Sequence, residues 1–245
     1  MRSWLVAALV IAVALPGCLN GVFSGGVGPR DYLSSSTYRK LVVEIDYATG
    51  HKPADELLNF LKGRLQGVVD KPDGVEFQVG ESLTDAGRTW SDGDLQSYAA
   101  DHASLKTEGT TVVMHVLFVA GHSAKDDGDS KVLGITFGAG PIAIFSEQVD
   151  GLCNSALIPG TCSTTPFYHS VVLHEMGHAL GLVAHGIPMV QPHEDSGHSG
   201  HSSNSKSVMY WAVDSSSAFL QLLGNNPPSD FDGDDRADMH AAGGK

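Results

Sequence analysis

Cationic charge is scarce in this 245-residue chain: 15 lysines and arginines stand against 28 aspartates and glutamates, for a formal charge of −13. A surface of that sign repels a phosphate backbone, so nucleic acid is excluded as a partner. Cysteine is scarcer still, with three in all, at a spacing that fits no four-ligand zinc cluster. No apolar run is long enough to cross a bilayer as a helix. No internal repeat recurs, and no second domain boundary shows in the composition. With 42% apolar residues the chain can bury one good core, whereas two full domains would be cramped.

What is present begins with a targeting pattern. Arg2 precedes an apolar run from Trp4 to Leu15, as in a cleavable signal peptide over residues 1–17. The run ends in Leu15, Pro16, Gly17 and Cys18, which resembles the lipobox of prokaryotic lipoproteins. That resemblance implies acylation of Cys18 and an extracytoplasmic protein held at the membrane by lipid. A plain signal peptide with an incidental cysteine is the alternative. With Cys18 assigned to lipid, Cys153 and Cys162 remain as an even pair in an oxidising compartment, where a disulfide is expected and free thiols are the alternative. Residues 18–39, rich in Gly and Ser, read as a flexible tether, with the folded domain over 40–245.

Periodicity then alternates between strand and helix. "KLVVEIDYA" has the β-branched look of a strand, and Leu57, Leu58, Leu61, Leu65 and Val68 recur at helical spacing. "GVEFQVGESL" follows as a second strand, parallel to the first through a right-handed crossover. "SDGDLQSYAADHAS" reads as a short helix and "TTVVMHVLFVAG" as a central strand buried on both faces. "VLGITFG" and "GPIAIFS" pair as an edge hairpin. "TTPFYHSVVLHEMGHALGLV" is the one long helix, with a threonine cap, Pro166 in its first turn and Gly181 at its end. Downstream lie a histidine-rich loop, "VMYWAV", a terminal helix in "DSSSAFLQLLG" and an acidic tail, whose spacing departs from an EF-hand calcium loop. The implied architecture is a single α/β (α+β) domain, a twisted mixed sheet backed by helices.

The chemistry concentrates in "HEMGH". Histidines four apart leave one face of a helix about one turn apart, so His174 and His178 can share one metal ion. Glu175 stands beside them. Zinc lowers the pKa of its water to about 7 and polarises a carbonyl, while a glutamate moves the proton. Those are the requirements of peptide-bond hydrolysis with a single catalytic Zn2+.

Here the sequence resembles the metzincin clan of zinc peptidases, whose pattern is H-E-x-x-H-x-x-G-x-x-H followed by a methionine turn. His174, Glu175, His178 and Gly181 match it, but Ala184 occupies the position of the third histidine. His185 is one residue late; on a continued helix it would lie about 10 Å along the axis from His178, so it serves only after a break at Gly181. Counted from the other end, His201 precedes Met209 by eight residues, the spacing matrixins show, with H-S at its start and M-Y at its end. Archaemetzincins are similar, with cysteines where this chain has Ser202 and Ser207. The resemblance thus implies His201 as third ligand across an inserted loop, with His185 as the first alternative and His193 or His198 after it, and Met209 as the floor under the metal. Tyr210 lines the substrate pocket or packs.

The loop residues His185, His193, Glu194, Asp195 and His198 are of metal-ligating types, though a solvated loop is the expectation. "GPIAIFS" resembles the metzincin edge strand that pairs with an extended substrate, with a purely structural strand as the alternative. The expectation is a zinc-dependent endopeptidase with Glu175 as base, acting as a monomer on peptides or proteins. The rival is a lipoprotein that binds metal or peptide without turnover.

Overall fold

The computed structural model describes residues 26–84, 87–128, 130–155, 163–220, 222 and 227–245. Cys18, Cys162 and the expected signal segment lie outside the described residues, so the lipobox and the Cys153–Cys162 pairing stay expectations. In chain order the elements are α1 (Pro29–Leu33), β1 (Lys40–Ala48), α2 (Asp55–Gln66), β2 (Val75–Leu83), β3 (Arg88–Trp90), α3 (Asp92–His102), β4 (Thr111–Val119), β5 (Gly121–Ser123), β6 (Gly134–Thr136), β7 (Ile142–Phe145), α4 (Ser146–Ser155) and α5 (Thr165–Ala179). Beyond α5 come β8 (Glu194–Asp195), β9 (His198–Ser202), a 3-10 turn at Trp211–Val213, α6 (Ser216–Phe219) and α7 (Gly233–Ala241).

Five strands make one twisted mixed sheet in the order β2-β1-β4-β7-β6. β1 pairs in parallel with β2 and β4, β4 in parallel with β7, and β6 runs antiparallel to β7. β4 alternates with period two, one face buried along its length and the other only in its C-terminal half. Val112, Met114, Val116 and Phe118 join the main core, while Leu117 and Val119 turn to a second core under α3. β7 divides the same way, with Ile142 and Ile144 on one side and Ala143 and Phe145 on the other.

Helix α2 lays Leu57, Leu61 and Leu65 against the sheet at i, i+4 spacing, with Asp55 and Glu56 in its first turn complementing the helix dipole. Helix α5 is buried all round from Ser170 to Ala179, so it is the central helix. Among the described residues no helix is long and apolar enough to cross a membrane.

Three expectations need correction. The tether does not extend to Arg39: the chain is folded from Pro29, where α1 buries Tyr32 and Leu33 completely or nearly so. Pro29 lies where side chains at Gly181 and Gly186 would stand, and buried Lys71 donates to the carbonyls of Asp31, Ser34 and Tyr38. A Gly/Ser-rich composition hid these few anchoring groups.

The second correction concerns the sheet edge. "GPIAIFS" supplies β7, which is inside the sheet, and the edge strand is β6 from "VLGITFG". The antiparallel hairpin was legible, but its outer arm follows from which arm meets β4.

The third is the C-terminal helix. "DSSSAFLQLLG" yields only the one-turn α6 among the described residues, while the acidic tail forms α7. Asp232 caps it by accepting from the backbone N–H groups of Asp234 and Asp235, and Asp235 closes the capping box. Asp232 is the cap and Asp235 and Asp238 are buried acceptors, while Asp234 stays exposed.

Candidate metal centre

His174, Glu175 and His178 sit in the buried half of α5, with relative exposures of 0%, 2% and 8%. The two imidazoles meet edge to face, and their Nε2 atoms are 3.1 Å apart. His174 Nδ1 donates to the Val208 carbonyl at 2.7 Å, which fixes its tautomer and leaves the Nε2 lone pair aimed into the cluster. His201 arrives from β9, its ring 5.2 Å from that of His174 and 5.1 Å from that of His178. His201 Nε2 is buried and has no hydrogen-bond partner among the described residues.

The three histidines bring one ligand nitrogen each to within 4.8 Å of one another. A tetrahedral zinc ion with bonds of about 2.0–2.1 Å places its donors about 3.3 Å apart, close to the 3.1 Å between the His174 and His178 nitrogens, and the His201 nitrogen is near enough to close on the same ion. Burial holds all three in the neutral form that ligation requires: it pushes His174 down to about 3, His178 well below the ordinary imidazole value, and His201 down as well.

Gly181 ends the helical segment at φ +85° and turns the chain, where a side chain would strike Pro29. Val183 and Ala184 then adopt positive φ, and the chain curls so that the His185 ring lies 4.5 Å from that of His178. The expected break is therefore present. His185 packs against Gly200, with Nδ1 toward the Val183 carbonyl at 3.3 Å, and is not one of the three converging histidines.

The rest of the loop is more ordered than its composition suggested. His193 is buried, with Nε2 2.9 Å from an Asp238 carboxylate oxygen on α7. Glu194 accepts from Ser199 Oγ and the Gly200 N–H, while His198 pairs with Asp195 and stacks on Trp211. None of these joins a three-ligand group among the described residues.

Met209 is fully buried beneath the cluster, and its Sδ would lie 2.2 Å from a Cβ at Gly177. Its turn is wired in place. The Ser202 N–H donates to the Met209 carbonyl at 2.7 Å, the Met209 N–H to Ser207 Oγ, and Ser207 Oγ to Asp235 at 2.6 Å. Tyr210 bridges to Ser202, a backbone role.

Sequence reasoning missed four residues here. Thr136 on β6 donates to a Glu175 carboxylate oxygen at 2.7 Å, and a side chain at Gly134 would overlap the Glu175 carboxyl. Gly177 is the glycine on which Met209 rests. Asp214 forms a second group with His174 and Glu175 whose ligand atoms lie within 4.8 Å of one another. Burial first, and the Asp214 charge second, push the Glu175 carboxyl up to about 8; a cation beside it would draw it back down. Beside the cluster lies a cavity of about 410 Å3, with His201, Trp211 and Asp214 in its wall.

No family model matches this sequence, and no curated protein matches it. Solved structures do. The chain is similar to a zinc-dependent peptidase from Methanocorpusculum labreanum, with TM-score 0.54 and 12% identity, over 80% of this chain and 99% of that one. It is also similar to archaemetzincin from Methanopyrus kandleri, with TM-score 0.53 and 13% identity, over 84% and 96%. At such identities the likeness establishes the fold.

Proposed function

We propose that this chain is a zinc-dependent endopeptidase. The observation that carries the reading is the convergence of His174, His178 and His201 beside the buried carboxyl of Glu175. A zinc ion bound there supplies a Lewis acid that brings the pKa of water near neutrality and polarises a carbonyl.

The chain's own residues do the rest. Glu175 takes a proton from the attacking water at its carboxylate and returns it to the leaving amine. Thr136 holds that carboxylate by its hydroxyl, so the base is tied to the sheet edge. β6 is an outer strand of the sheet, and an extended peptide pairing with it would pass its backbone beside Glu175. Val208, through its carbonyl, keeps the His174 proton on Nδ1. The fold likeness to zinc-dependent peptidases supports the same chemistry.

Lipidation at Cys18, a disulfide between Cys153 and Cys162 and an extracytoplasmic location complete the proposal. Its test is direct. Zinc-loaded protein should contain one ion per chain and cleave internal bonds of a peptide mixture. Glu175→Gln should keep the ion and lose hydrolysis by a factor of at least about 100, the low end for a positioned acid–base group. A variant as active as the wild type would remove Glu175 as base, and a zinc-loaded wild type without turnover would leave a metal- or peptide-binding lipoprotein.

A further inference from the structure

We infer that the cavity beside the metal cluster is a recognition pocket for the cationic side chain of a lysine or arginine next to the scissile bond, with Asp214 as its specificity-determining residue. The inference rests on the peptidase reading and names its substrate class.

Position comes first. Asp214 and His201 both belong to the cavity wall, and each also stands in a candidate metal cluster. A group that reaches Asp214 from a bound peptide therefore leaves the backbone close to the reacting carbonyl. The cavity, at about 410 Å3, has room for a long side chain.

Chemistry comes second. Among the described residues Asp214 receives no hydrogen bond on its carboxylate, and the nearest nitrogen in an ion-pair contact is His201 Nε2 at 3.9 Å. That nitrogen is neutral and presents its lone pair to the cluster. Lys125, the neighbouring cation, is bound to Asp92 at 2.7 Å and does not line the cavity. No lysine or arginine is among the lining residues, so no side-chain cation of this chain shares the cavity wall with the Asp214 carboxylate.

The wall chemistry agrees. Trp211 and His198 stack at 4.0 Å with their planes 4° apart, a flat aromatic face over which an ammonium or guanidinium can lie. Ser215 and Ser217 add hydroxyl oxygens as further acceptors. An acidic side chain would meet the Asp214 charge, and the chain's overall negative charge favours basic peptides at encounter.

The experiment uses zinc-loaded protein and matched peptides carrying lysine, arginine, norleucine or glutamate next to the cleaved bond, each with a free or an acetylated N-terminus. Lysine and arginine peptides should be cleaved with kcat/KM at least about tenfold above norleucine, the scale of one charge-assisted hydrogen bond. Acetylation should leave that ratio in place. Asp214→Asn should bring it close to one with zinc content unchanged, and Asp214→Glu should restore most of it. Binding of the same peptides to Glu175→Gln protein should show the same order without turnover. Cleavage with no basic preference would overturn the inference while keeping the peptidase reading; no cleavage of any peptide would remove that reading first. Dependence on a free N-terminus regardless of side chain, or loss of zinc in Asp214→Asn, would also overturn it.

Discussion

Replacing Gly177 with alanine tests whether the metal floor is a packed contact or an accident of proximity. In an exposed helix the change would stabilise by about 1 kcal/mol, because glycine is the poorer helix former. Here the added Cβ would stand 2.2 Å from Met209 Sδ and 3.2 Å from both Met209 Cε and Phe231 Cε1. Met209 is 0% exposed and Phe231 3%, so neither has free space to move into. Overpacking a buried site costs about 1–3 kcal/mol, and a 2.2 Å approach belongs at the upper end. The net effect is a loss of about 1–2 kcal/mol, or about 2–8 °C in Tm for a domain of this size.

Methionine is adaptable, but this one is held by its backbone on both sides, so displacement passes to Val208 and from there to His174. Zinc affinity should fall about 10–100-fold, as when a ligand loses its orienting partner. Thermal melts with and without zinc, with chelator competition, read both effects. Adding Met209→Ala to the Gly177→Ala variant removes the colliding sulfur, so the second substitution should cost less there than in the wild type. A Gly177→Ala protein that melts at or above the wild type and binds zinc as tightly would refute this packing.

Three further outcomes are expected. His201→Ala should lower zinc affinity by more than about 100-fold, beyond the loss of an orienting partner, and His185→Ala far less; chelator competition that returns the opposite order would move the third ligand to His185. Burial raises the Asp235 carboxyl from 3.8 to about 6, so the folded state holds its proton longer than the unfolded chain, and its contribution to stability falls as pH rises from about 4 to 6. Asp235→Asn should flatten that fall relative to the wild type in denaturant titrations across this window, and parallel curves would show that Asp235 does not titrate there. Cys18→Ser should release the protein from membranes to the soluble fraction, and continued retention would exclude lipid at that cysteine.

How much was legible in the sequence depended on whether the signal was local. β4 announced itself as a mostly apolar run interrupted by His115, and the division of its C-terminal half between two cores explains why no polar alternation appears there. His174 and His178 are four apart on a helix, and His201 could be placed only by counting back from Met209 across a loop without periodicity. β6 is three residues long, too short for any pattern, and its importance lies in Thr136 meeting Glu175 across 39 positions. No local rule reports such a contact.

Other features were spelled out and misread. Asp232 and Asp235 stand three apart before an apolar Met239, the form of a helix cap, yet in sequence the segment reads only as an acidic tail weighed against a calcium loop. Pro29 with Asp31 two residues on is likewise a helix start inside a Gly-rich stretch, and Asp31 accepts from the Gly28 N–H at 2.9 Å.

The glycine in "HEMGH" is the instructive case. A glycine in the middle of a buried helix weakens it by about 1 kcal/mol, so its presence needs a reason of close approach. The structure supplies one in Met209 Sδ, and another at Gly134, where a Cβ would fall 2.6 Å from Glu175 Cγ. Both glycines remove side chains where the helix carrying His174 and His178 meets its two neighbours, the edge strand on one side and the methionine turn on the other. Their absence of side chains lets Thr136 reach Glu175 and lets Val208 reach His174. The donor geometry of the cluster is therefore set as much by two residues with no side chain as by the three histidines themselves.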